Sequence, residues 1–173
     1  LLGEFGLIVP QGLCHVSQRV PALLERAADE LPLAFHQLIE RLLSHLRDLH
    51  QQVNELEAQI KAWHSHSELS RRLEKIPGIG PLTASALVAS IADARSFDSG
   101  RQLSAWLGLV PRQSSSGGKP MLLGMSKRGD VYLRTLLIHG ARSVILAAQR
   151  KVLDAQSWLG RLLRRRHSNV AAV

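Results

Sequence analysis

The chain is expected to fold as an all-α protein: a long coiled-coil helix followed by a compact helical domain that contains a helix-hairpin-helix and carries one long Ser/Gly/basic loop. Three observations lead there. Aromatic residues make up only 4% of the 173 residues, which disfavours a β-sandwich or barrel, whereas Leu, Ala, Arg, Gln and Glu dominate and favour helices. Apolar residues recur at alternating steps of four and three through part of the first half. Further on, Gly and Pro fall between short apolar-periodic stretches, as in short helices joined by turns. With 45% apolar and 21% charged residues there is enough material for a packed core, and disorder is disfavoured for most of the chain.

Residues 1–19 mix Gly3, Gly6, Pro10 and Gly12 with short apolar runs and read as a connector. Val20-Pro21 opens a short helix with Pro21 in its first turn, and Leu31-Pro32 closes it. Phe35, Ile39, Leu42, Leu46, Leu49, Val53, Leu56, Ile60 and Trp63 then form a heptad stripe with no Gly or Pro inside it, which predicts a helix over about 33–63. Ile39, Leu46, Val53 and Ile60 share one core position and Leu42, Leu49, Leu56 and Trp63 the other, a choice that suits a two-stranded coil, parallel or antiparallel. A helix packed on its own domain shows the same stripe; its narrowness and length favour self-association through residues 35–63. The chain divides into a connector (1–19), a coiled-coil region (20–66), a helical domain (67–157) with its hairpin at 68–92, and a basic C-terminal segment (158–173).

The hairpin is carried by IPGIGPLTASALVASI, residues 76–91. Leu69, Leu73 and Ile76 share a face of one short helix, Gly78 and Gly80 permit a tight turn, and Pro81 starts a second helix. Free N–H groups of the turn at Gly78, Ile79 and Gly80, with those of the following helix N-terminus, are suited to a phosphate oxygen. Such contacts position DNA without reading its sequence. An ordinary αα-turn is the plain alternative. A dinucleotide-binding loop is excluded because a helix precedes and Thr83 stands at the third Gly position; a Walker A loop is excluded because Pro120 follows Gly117-Gly118-Lys119.

Ser99 caps a helix running to about Leu107, with Leu103, Trp106 and Leu107 toward the core, and Gly108 and Pro111 end it. The following PRQSSSGGKPMLLGMSKRGD reads as a long loop with three serines before two glycines, cations Arg112, Lys119, Lys127 and Arg128, and only Asp130 acidic. A serine attacks a phosphodiester when its proton is removed and the charge developing on phosphorus is stabilised. The cations serve the second need; no general base stands beside the serines in sequence. On composition alone the stretch reads as a Ser/Gly linker touching DNA backbone. Asp130 caps a helix from about Val131 to Val152 with Leu133, Leu137, Ala141, Val144 and Ala148 on its buried face, and Arg134 and Arg142 lie two turns apart. A basic run, Arg161 to Arg166, follows Trp158, and the last residues read as the start of an apolar helix.

Residues 1–100 hold 9 Lys/Arg and 12 Asp/Glu, net −3, whereas residues 101–173 hold 13 and 2, net +11. That split points to a polyanion partner for the C-terminal half, nucleic acid ahead of membrane because the basic residues do not lie along one amphipathic helix. Cys14 alone excludes an internal disulfide framework or a cysteine-rich zinc site. The histidines, His64 and His66 included, are scattered and expected to be solvated. No apolar run reaches the roughly 18–20 residues that span a bilayer; the best, Thr135 to Ala148, is interrupted by His139 and Arg142. Leu1-Leu2-Gly3-Glu4 lacks the features of a signal peptide.

Three stretches in order, IPGIGPLTASALVASI, GRQLSAWLGLVPRQSSSGGK and GMSKRGDVYLRTLLIHGAR, resemble the C-terminal transposase domain of the insertion-sequence 110 family. GEFGLIVPQG and the following stripe are similar to its central connector, especially in the 1111-like branch. The resemblance covers nearly the whole chain. It implies a DNA recombinase with two catalytic parts, an N-terminal resolvase-like domain with a DEDD acidic metal site and this C-terminal domain with a serine nucleophile. The family's P-R-x-x-x-S-G setting falls on Pro111 to Gly117, so the nucleophile falls on Ser116, with Ser115 as the fallback. It further implies DNA as partner, a structured guide RNA from the element, homo-oligomers through the coiled coil, a bacterial cytoplasmic, nucleoid-associated location, and a divalent metal (Mg) bound only by the DEDD domain, with no cofactor or metal in this chain. No residue here matches that acidic domain, so this chain is expected to be a fragment. Gly78, Ile79, Gly80, Arg112, Lys119, Lys127, Arg128 and Arg134 are the candidate DNA-binding residues. A non-catalytic nucleic-acid-binding module dimerising through residues 35–63, with no membrane contact, is the alternative.

Overall fold

The computed structural model describes residues 2–116, 119–150 and 156–173, with backbone alone at 115, 116, 119 and 120. It is mostly helical, with a single two-stranded sheet among the described residues, so the all-α class holds. The chain forms two compact units, Leu1–Ala58 and Gln59–Val173.

In the first unit a short 3-10 turn, Leu2–Phe5, precedes α1 (Leu13–Arg26). Helix α2 (Leu33–His66) starts in this unit and ends in the other. The first helix begins before the expected Val20-Pro21, and Pro21 lies inside it rather than in its first turn. An interior proline removes one i→i−4 bond and costs about 3 kcal/mol locally. Tertiary burial offsets this: Val20 and Leu24, on either side of Pro21, are 1% and 2% exposed and pack with Ala27, Leu31, Ile39 and Leu43. Phe35, packed against this core, meets Phe5 with the rings tilted by 44° and their centroids 4.5 Å apart.

Only the start of the heptad stripe is covered within the unit. Ile39 is buried, and Leu43, a residue outside the stripe, joins it because it lies one turn on along the side that meets α1. Leu42, Leu49, Val53 and Leu56 stay between 45% and 57% exposed.

The second unit holds α3 (Glu68–Glu74), α4 (Pro81–Ser90), α5 (Gly100–Trp106), α6 (Val131–Arg150), α7 (Trp158–Arg165) and α8 (Ser168–Ala171). Local chemistry explains most boundaries. Ser67 Oγ accepts from Ser70 N–H, Ser99 Oγ from Gln102 N–H, and Asp130 Oδ1 from Leu133 N–H at 2.8 Å, so each helix start gains an acceptor for an otherwise unpaired donor. Leu87, Leu107 and Leu133 form the buried centre, bringing α4, the end of α5 and α6 together. The expected inner face of α6 is only half-buried beyond Leu133, while Ile145 and Arg134 are buried. Trp106 does not join the core; it is 40% exposed and meets Phe97 edge-on.

The Ser/Gly segment is not a loop. Strands β1 (Pro111–Ser116) and β2 (Lys119–Met125) pair antiparallel, with Ser116 opposite Lys119, Ser114 opposite Met121 and an irregularity between Pro111 and Gln113. The sequence does contain the signal: two glycines between residues placed to pair, followed by the apolar run Met121-Leu122-Leu123. The serines and cations disguised it as a linker. Gly117 and Gly118 lie outside the described residues, as does Val152 at the expected end of α6.

Candidate nucleic-acid interface

Residues 107–110 and 126–134 form a backbone joint that anchors the β-hairpin. Gly108, at φ 72°, ends α5 in a Schellman arrangement: Gly108 N–H donates to Ala105 O and Leu109 N–H to Ser104 O. Gly129 lies so close to this turn that a Cβ there would overlap the Trp106 carbonyl oxygen, and a Cβ on Gly108 would stand 2.7 Å from Gly129 N. Ser126 N–H donates to Val110 O at 2.8 Å, and Lys127 N–H and Ser126 Oγ both donate to Gly108 O. Arg134 reaches in from α6, its Nη1 donating to Leu107 O at 3.0 Å and Gly129 O at 3.3 Å. The hairpin therefore projects from a joint held by α5 and α6.

This decides where the candidate cations lie. Arg112, at the start of β1, and Lys127 and Arg128, just after β2, are exposed around the base of the hairpin. Lys127 adopts a left-handed backbone, φ 58°, costly for a residue with a Cβ. Lys119 faces Ser116 in register across the hairpin end, on backbone placement alone. Arg134 departs from the expectation of a DNA contact. It is 7% exposed with its guanidinium engaged by two carbonyls, so it positions the joint instead. Its spacing on α6 matched a basic face; only the neighbouring turn shows what it bonds.

The glycine hairpin between α3 and α4 is likewise partly consumed by packing. Gly78 has φ 90° and fits against Gly140 of α6, where a Cβ would stand 2.8 Å from the Gly140 carbonyl oxygen. Ile79 donates its N–H to Ile76 O and is half-buried against the Leu87–Leu107–Leu133 core. Gly80 is exposed, with open space around its Cα. The N–H groups at the start of α4 have no intrahelical acceptor, so Gly80 and the first turn beyond it are what this corner offers an anion.

His64 corrects the expectation of solvated histidines. It is 6% exposed, with Nδ1 2.7 Å from Ser70 Oγ and Nε2 2.9 Å from Glu74 Oε2. The order Ser–His–Glu resembles a hydrolytic triad, but Ser70 is 0% exposed and no substrate reaches it. The trio ties the end of α2 to α3. Nothing in local sequence revealed it, because the three residues meet only after the chain turns at Ser67.

Among the described residues no three His, Cys, Asp or Glu side chains converge to hold a metal. Helix α6 is long and apolar enough to cross a bilayer by length and composition, which the interrupted apolar run did not suggest. It packs through Leu133 against Leu87 and Leu107 and through Arg134 against the α5 joint.

A family model described as transposase, IS116/IS110/IS902 family, matches residues 70–157, a span that takes in the glycine hairpin, the joint and the β-hairpin. The chain belongs to this transposase family. It is 45% identical over 174 residues to a Pseudomonas aeruginosa protein described as a probable family 20 transposase, covering 100% of this chain and 52% of that protein. It is 40% identical over 173 residues to the Coxiella burnetii transposase for insertion sequence element IS1111A, covering 100% of this chain and 48% of that protein. It is 40% identical over 169 residues to the Yersinia enterocolitica transposase for insertion sequence element IS1328, covering 98% of this chain and 50% of that protein. The chain thus spans about half the length of the curated relatives it matches. The family match takes in Arg112, Lys127 and Arg128 at the β-hairpin base, whereas α7 begins just beyond it.

Proposed function

We propose that this chain is the connector, coiled-coil and serine-transposase portion of a 1111-like member of the family, acting in DNA transposition with Ser116 as the nucleophile. The observation that carries the reading is the backbone position of Ser116 at the last pair of the β-hairpin, opposite Lys119, above a base bearing exposed Arg112, Lys127 and Arg128. Those cations hold backbone phosphates that neighbour the scissile one, about 13 Å along the strand from the serine, and so lay the scissile phosphodiester at the hairpin end. The Ser116 Oγ–P bond forms, the P–O bond to one deoxyribose breaks, and that sugar leaves as a hydroxyl carrying the proton the serine gives up. Lys119, in register with the serine, is the cation assigned to offset charge on the non-bridging oxygens as it develops. Ser115 is the fallback nucleophile. Gly80 and the start of α4 hold neighbouring backbone.

In the whole enzyme a guide RNA chooses the DNA, homo-oligomers form through residues 35–63, and the protein works on the bacterial nucleoid in the cytoplasm, without membrane contact. Divalent metal is assigned to an acidic DEDD domain; among the described residues no three His, Cys, Asp or Glu side chains converge to hold one. Support for self-association comes from the exposed Leu42, Leu49, Val53 and Leu56 on α2.

The test is a chimera in which this chain replaces the aligned half of the Pseudomonas aeruginosa relative, assayed for plasmid recombination and for covalent protein–DNA adduct on suicide substrates. Ser116→Ala is expected to abolish both, with salt-sensitive DNA binding retained. Full activity in Ser116→Ala removes the assignment. Salt-sensitive binding with no adduct from the unmodified chimera favours the non-catalytic module.

A further inference from the structure

Helix α7 lies outside the family-model match and plays no part in the β-hairpin site. Its residues divide by chemistry. Trp158, Arg161 and Arg165, spaced three and four apart, share one face, and all three are exposed, Trp158 at 71%. Leu159, Leu162 and Leu163 are half-buried, and Gly160 is buried. Arg164 and Arg166 flank the first face and are also exposed. Among the described residues no carboxylate pairs with any of these four arginines.

The position of the tryptophan decides what such a helix meets. A membrane-surface helix places Trp and Leu together on the inserted face and arginines on the other. Here Trp158 lies between Arg165 and Leu162 around the helix and stays exposed beside the arginines, while the leucines are already partly used inside the protein. A duplex backbone calls for arginines alone and gives an indole nothing to cover. An aromatic surface beside cations suits unpaired nucleotides, whose bases stack on the ring while the phosphates meet the guanidinium groups.

We propose that the Trp158–Arg161–Arg165 face of α7 binds single-stranded nucleic acid, with a base stacked on Trp158 and adjacent phosphates on Arg161 and Arg165. Ser157 fixes the start of the helix, its Oγ accepting from Gly160 N–H at 3.1 Å, so the indole sits on a capped first turn. The surface is separate from the β-hairpin and does not rest on the serine assignment.

The test measures fluorescence anisotropy of the 173-residue chain with labelled oligothymidine, and with a duplex of equal length, across a salt series. Trp158→Ala is expected to weaken oligothymidine binding at least about fivefold, the lower end of the value of one base–aromatic stack, with duplex binding little changed. Trp158→Phe restores part of the loss. Arg161→Gln with Arg165→Gln lowers the slope of log affinity against log salt by about 1.4 for the single strand, two phosphates at about 0.7 each. Far-UV circular dichroism checks the fold, and Trp158→Phe carries the comparison if the alanine variant is unfolded. Unchanged oligothymidine affinity in Trp158→Ala, or an equal loss on duplex, overturns the proposal. So does a loss of binding to phosphatidylserine vesicles with nucleic-acid binding intact. These readouts are affinities taken without recombination or adduct formation, so failure here and failure of the nucleophile assignment are read separately.

Discussion

Replacing Gly140 by alanine sets local propensity against tertiary packing. Gly140 lies in the interior of α6, where alanine is intrinsically better than glycine by about 1 kcal/mol. A Cβ at Gly140, however, overlaps the carbonyl oxygen of Gly78 in the α3–α4 turn. Both sides of this contact are backbone, so no side chain can rotate away, and relief requires α6 and the turn to separate. Overpacking of this kind costs about 1–3 kcal/mol, and the rigid partner places it at the upper end. The net expectation is a loss of about 2 kcal/mol after the propensity gain is credited. At about 4 °C per kcal/mol for a unit of this size, the melting temperature falls by about 8 °C. Thermal unfolding followed by circular dichroism, with a urea midpoint as the second measure, reads the change. Gly100→Ala is the control: its added Cβ meets nothing within 4 Å, and a shift inside about 0.5 kcal/mol is expected. A Gly140→Ala protein as stable as the parent, or more so, refutes the argument that the glycine hairpin is seated on α6 through backbone contact.

Other consequences follow from the same geometry. Arg134→Lys ends one bond short of the Nη1 that donates to both Leu107 O and Gly129 O, and is expected to lower the urea-unfolding free energy by about 2–3 kcal/mol. Its salt slope on duplex DNA should match the parent; a fall of about 0.9 would instead mark a phosphate contact. Ser70→Ala leaves His64 Nδ1 short of a buried partner and is expected to cost about 1–3 kcal/mol in stability. Recombination per folded chimera should not change, whereas a chemical role for Ser70 would abolish it. Leu49→Asp with Leu56→Asp puts charge on the exposed stripe of α2 and is expected to shift sedimentation toward monomer with helicity kept. An unchanged sedimentation profile would argue that this stripe does not mediate self-association.

Much of the candidate site was legible without coordinates. Ser99 and Asp130 as caps, Pro81 as a helix start and Gly108 as a stop all stand where local chemistry placed them. The opposite charges of the two halves and the helical class were likewise readable from residue order. These features depend on groups within a turn or two of each other, or on composition, and chain spacing reports both. Other features needed the packed molecule. Pro21 sits inside α1 because burial of Val20 and Leu24 outweighs a missing hydrogen bond. The serine segment pairs as a hairpin, Arg134 turns inward, Gly78 meets Gly140, and His64 finds Ser70 and Glu74. Each of these depends on which elements meet and how closely their backbones approach, a balance of burial against local preference that no spacing rule within one segment contains.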